Sequence, residues 1–200
     1  MKALRSVILM GTALWLATMA DVTMAGLIGT AHDFASGDGC ASCHTLHNSS
    51  GGGGSGPLWD HETTTATFTL YSSNTLDATI NSPSDFGSKL CLSCHDGTVA
   101  IDSYGGVTGT DFMTGPSMLG TDLSNDHPVS FTYNTTLANT DGGLKDPATA
   151  NSGLGGTIQE DLLVSDMLEC NSCHNIHSSV PKLLVVSNAG SSLCLTCHAK

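Results

Sequence analysis

Four short segments carry the residue types best suited to chemistry: Cys40-Ala41-Ser42-Cys43-His44, Cys91-Leu92-Ser93-Cys94-His95, Cys170-Asn171-Ser172-Cys173-His174 and Cys194-Leu195-Thr196-Cys197-His198. They use all 8 cysteines of a 200-residue chain. Each is a C-x-x-C-H segment, the signal for covalent haem attachment. Two thiols form thioethers with the vinyl groups of a porphyrin, and the adjoining imidazole binds its iron. On one tight helical turn residues i and i+3 share a face, so both sulfurs meet one edge of the ring while the next residue swings under the metal. The motifs therefore assign Cys40, Cys43, Cys91, Cys94, Cys170, Cys173, Cys194 and Cys197 to four covalent haem c groups, with His44, His95, His174 and His198 as proximal iron ligands. Zinc also uses paired C-x-x-C segments, but gives no reason for a histidine after every second cysteine. A disulfide framework built from such short closures would hold no distant parts of the chain together.

Of the 9 histidines, His32, His47, His61, His127 and His177 remain for four distal positions. Axial imidazoles are a main control on haem potential. His47 and His177 follow His44 and His174 so closely that neither easily crosses its own porphyrin. Each is expected to reach a neighbouring haem, which draws the haems into close pairs. Two imidazoles per iron leave no vacancy for substrate, so the residues argue for electron transport and against catalysis. One histidine is surplus within a monomer. It is either a bystander, or it ligates iron while another serves an adjacent subunit.

The elements that must position these groups are sparse. With 23 glycines and 5% aromatic residues, the side chains alone promise little core, and four large apolar haems are expected to supply the missing buried surface. The glycine and serine run at 49–56 reads as a tether, followed by Trp59 and His61 in a ligand loop where the indole is expected to pack on a porphyrin face. Residues 63–71 alternate imperfectly and form a short strand candidate. Asp96-Gly97 is expected to turn the chain after the second motif. From 98 to 125 the chain is expected to wrap haem edges. Pro128 disfavours helix at His127 and presents that imidazole rigidly. Residues 139–156 read as loop. The spacing predicts a helix over 158–169, capped near Thr157, with Glu160 and Asp161 in its first turn and Ile158, Leu162 and Leu163 on its apolar face. That helix would lead directly into Cys170.

The motifs run C-H-x-x-H, L-C-L-x-C-H, C-H-x-x-H, L-C-L-x-C-H. This order suggests two diverged two-haem modules, 26–130 and 131–200, packed as one tetrahaem domain over 26–200. Residues 1–5 are short and basic and 6–20 nearly all apolar, so 1–25 is expected to be an export signal, cleaved after Ala20 or Ala25. The run is short for a membrane span. The signal accounts for Lys2 and Arg5, leaving only Lys89, Lys145, Lys182 and Lys200 as basic side chains against 18 acidic ones if Asp21 is kept. Such a surface excludes nucleic acid as a partner, and suits basic redox partners, cations or simple solubility.

The ordered segments His32-Asp33-Phe34, Cys43-His44-Thr45-Leu46-His47, Pro57-Leu58-Trp59-Asp60-His61, Phe68-Thr69-Leu70-Tyr71-Ser72-Ser73, Leu90-Cys91-Leu92-Ser93-Cys94-His95-Asp96-Gly97 and Asp126-His127-Pro128 span most of the expected mature chain. In this combination the chain resembles the small tetrahaem extracellular nanowire cytochromes of metal-reducing bacteria, within the doubled C-x-x-C-H class. The resemblance implies a multihaem cytochrome c fold, mostly coil with a few short helices wrapped around a stacked chain of four haems. It also implies bis-histidine irons, head-to-tail homopolymers with one distal histidine from a neighbouring subunit, and an extracellular or cell-surface location. Upstream periplasmic or outer-membrane cytochromes would feed it, and extracellular acceptors would drain it. A monomeric periplasmic shuttle is the alternative, and a multihaem reductase a weaker one. The tail after His198 is only Ala199-Lys200, so any family role of a longer tail is absent.

Overall fold

A computed structural model describes residues 27, 29–34, 39–45, 58–84 and 87–199 of the chain. The expected signal segment 1–25 with its cleavage points, the tether 49–56 and the candidate ligand His47 lie outside these residues. Five short helices occur among them: α1 (Ser88–His95), α2 (Thr135–Asp141), α3 (Ile158–Leu162), α4 (Cys170–Cys173) and α5 (Ser192–Cys197). Two two-residue strands, β1 (Phe131–Thr132) and β2 (Met167–Leu168), pair antiparallel with Phe131 opposite Leu168. Apart from two three-residue 3-10 helices, Pro181–Leu183 and Ala189–Ser191, the remainder is turns and irregular backbone, as in a multihaem cytochrome c domain. No helix among the described residues is long and apolar enough to cross a membrane.

The expected helix over 158–169 is corrected to three elements. Thr157 caps α3: its hydroxyl accepts from the Glu160 amide at 3.2 Å, and the Glu160 carboxylate accepts from the Thr157 amide at 2.9 Å, a reciprocal pair that satisfies two otherwise orphaned donors. The helix then stops at Leu162. Leu163 is extended, and Ser165 and Asp166 take left-handed φ values of 52° and 64°, so the chain reverses into β2 and only then enters α4. Packing explains the break. On a continuous helix Leu163 and Leu168 would point about 140° apart, whereas the turn buries both in one core.

That core consists of Phe131, Tyr133, Leu137, Ala138, Ile158, Leu162, Leu163 and Leu168, with Leu144, Val185 and Cys197 packed against it. Around 131–168 the side chains thus contribute an apolar centre of their own. Helix α2, part of which lies in the expected loop 139–156, belongs to it. The Asn134 side chain caps its start by accepting from the Leu137 amide at 3.0 Å, and Gly142 ends it with φ of 69°, the left-handed stop that glycine tolerates.

The strand expected at 63–71 is also absent. Thr64 directs its amide to Ser93 Oγ at 3.0 Å and accepts the Ala66 amide on its own hydroxyl at 3.0 Å. Side chains thereby take hydrogen bonds that a ladder would need. A single bridge survives, Thr69 with Asp122. Among the anchors expected to wrap haem edges, Val99 is buried, while Phe112, Met118 and Leu119 are exposed.

Candidate haem sites

Each attachment motif is one turn of chain. The His174 amide donates to Cys170 O at 3.0 Å, the His198 amide to Cys194 O at 3.0 Å, and the His44 amide to Cys40 O at 2.8 Å. The first motif therefore makes the same turn without a named helix. His174 and His198 are C-caps in extended conformation, with ψ of 135° and 131°, which turns each imidazole out of its helix. Bridges then pin the backbone: His44 pairs with Trp59, His174 with Leu184, and His198 with Leu144. The second motif differs because His95 remains inside α1. Its carbonyl accepts from Leu119 N at 2.7 Å, and Gly97, at φ of 76°, turns the chain just beyond.

Three motif histidines face an imidazole from elsewhere in the chain. His44 and His177 have ring centroids 6.4 Å apart and planes 18° apart. His32 lies 5.9 Å from His95, and His127 lies 6.3 Å from His198. Metal–imidazole bonds of about 2 Å on either side of a metal, added to the two ring half-widths, give a centroid separation of about 6 Å. The three separations match that spacing, with ring planes 18°, 39° and 78° apart in the pairs of His44, His95 and His198. Protonation supports the same fit. Nδ1 of His95, His127 and His174 each meets a backbone carbonyl, of Ser117 at 2.8 Å, Pro128 at 2.9 Å and Lys182 at 3.1 Å. An Nδ1–H given to a carbonyl leaves the Nε2 lone pair for a metal. Burial, then the positive charge of His95 and His174, lowers the pKa of His32 and favours its neutral form.

His61 is fully enclosed, at 2% exposure. Its Nδ1 meets Glu62 O at 2.7 Å, while Nε2 lies 3.1 Å from Ala100 O and 3.5 Å from Cys94 Sγ. A neutral imidazole has one N–H, so it cannot donate to both carbonyls. Trp59 stands between two histidines, with its ring 6.2 Å from His44 and 6.2 Å from His61, and its buried Nε1 has no hydrogen-bond partner. Thus His32 and His61 both lie beside the second motif, one facing His95 and the other touching Cys94.

Three of the sulfurs occupy surroundings that disfavour thiolate. Burial pushes Cys43 up to about 11, Cys94 up to about 12 and Cys197 up to about 11, with nearby sulfurs adding to each shift. A neutral thioether suits such surroundings. Cys91 and Cys170, from different motifs, hydrogen-bond to each other, which raises the former and lowers the latter.

Sequence reasoning missed Glu169. A lone acidic residue before a motif resembles surface charge, yet Glu169 is 1% exposed and surrounded by serine hydroxyls. Its partners Ser84, Ser88 and Ser130 are remote in sequence, so no local pattern marked the cluster.

Residues 163–200 match the family described as "Doubled CXXCH motif", which takes in the third and fourth attachment motifs. The match supports a c-type haem-binding, electron-transfer protein of the multihaem cytochrome c class. Such domains are characteristically non-catalytic electron carriers, which agrees with electron transport rather than catalysis. No curated protein matches it.

Proposed function

We propose that the chain is an exported tetrahaem cytochrome that passes electrons through closely spaced bis-histidine haems, as the subunit of an extracellular filament serving minerals, electrodes or other cells. The three facing imidazole pairs carry this reading. Haem c supplies one-electron exchange at its iron. The chain supplies the attachment turns, the carbonyls that orient the imidazoles, and the buried surface that excludes water.

On this reading His177 serves the haem of His44 and His127 that of His198, while His32 stands beside the haem of His95. His47 has the same offset from His44 as His177 has from His174, so reciprocity in the sequence assigns it to the haem of His174. His61 is then a fifth imidazole, beside the same motif as His32. A filament can use one of the two to complete that iron and send the other to the next subunit. His61 is buried at 2% exposure and stays internal, which makes His32 the crossing candidate.

The test is electron microscopy of protein from the extracellular fraction, together with H32A and H61A variants. Filaments lost in H32A, with four low-spin haems retained per chain, support the cross-subunit bond. Discrete wild-type monomers with four internally completed irons favour the periplasmic shuttle instead.

A further inference from the structure

Glu169 lies between two attachment motifs that are far apart in sequence. It immediately precedes Cys170 at the start of α4, while its carboxylate reaches the first turn of α1, which carries Cys91, Cys94 and His95. One carboxylate oxygen accepts from Ser84 Oγ at 2.7 Å. The other accepts from the Ser88 amide at 3.2 Å, from Ser130 Oγ at 2.8 Å and from the Ser88 hydroxyl. An ionised carboxylate is an acceptor-only group, and it is favoured at a helix N-terminus by the dipole there. Helix α1 has no side-chain cap of its own, so a carboxylate from another element takes that place.

The tie extends to the backbone. Ser88 Oγ also accepts the Cys170 amide at 3.1 Å, and Ser172 Oγ accepts the Glu169 amide at 3.0 Å. Gly87 leaves the necessary space, because a Cβ there would lie 2.7 Å from Glu169 Cγ.

We propose that Glu169 is a positioning residue that locks the second and third haem attachment sites together and places a buried negative charge between them. This rests on the haem reading of Cys91 and Cys170. The hydrogen bonds hold α1 against α4, so the two attachment edges meet at a set distance. The charge favours the oxidised iron at both sites, since reduction would add an electron close to an anion in a weakly screening interior. Glu169 thereby makes these two sites poorer electron acceptors than their ligands alone would.

The test uses the purified holoprotein, with haem content by mass followed by spectroelectrochemical titration. E169Q keeps the side-chain shape and removes the charge, and two of the four midpoint potentials should shift upward. S130A keeps the charge and removes one hydrogen-bond dipole that offsets it, so the same two potentials should shift downward. A merely structural role does not produce opposite signs. Four unchanged potentials in a fully loaded E169Q protein overturn the proposal. If E169Q fails to load four haems, S130A decides: the same downward shift in two potentials upholds it, and no shift overturns it. Wild-type protein with fewer than four haems would overturn the tetrahaem reading first, and this proposal with it.

Discussion

At the scale of single residues, the pairing of His44 with His177 carries the sharpest consequence. The partner imidazole follows the third attachment motif yet faces the first, and its ring is nearly parallel to that of His44. H177A should therefore leave the iron of His44 without its sixth ligand. Electron paramagnetic resonance should show about one haem in four becoming high-spin, while the haem attached at Cys170 and Cys173 keeps its spectrum. If the high-spin centre belongs to the third haem instead, the pairing is wrong. His61 gives a contrasting case: its Nδ1 has the carbonyl contact of a metal ligand, but its Nε2 meets a carbonyl and a sulfur.

At the scale of elements, the short helices depend on their ends because they have few internal hydrogen bonds. Helix α3 spans Ile158–Leu162 and relies on the reciprocal Thr157 and Glu160 cap, while Ile158 and Leu162 are buried in the side-chain core. T157A should cost about 1 kcal/mol, measured as a lower thermal midpoint, with the haem spectrum unchanged at room temperature. The turn at Ser165 and Asp166 sets the approach of β2 and hence of Glu169 and Cys170. A helix through 158–169 would have delivered the third motif from another direction. Reading that stretch as one helix followed its good local pattern, but the pattern contained no sign that Leu168 must meet Phe131.

At the scale of the whole molecule, the deficit of basic residues bears on assembly: subunits in a filament would bring acidic surfaces together, so added salt should favour association by screening them.

The chemistry was legible in the sequence because haem attachment is local. Five consecutive residues carry both sulfurs and the proximal imidazole, and one turn of backbone is enough to arrange them. The acidic balance, the scarcity of long regular elements and the cap at Thr157 were equally readable, since each depends on composition or near neighbours. Only the tertiary structure decided which imidazoles face each other, because His32 with His95, His44 with His177 and His127 with His198 are brought together by long-range chain closure. It alone also broke the helix after Leu162 to bury Leu168, and placed Glu169 against serines more than 30 residues away. Those choices follow from sharing a small apolar core and satisfying buried polar groups, constraints that exist only once distant segments occupy the same space.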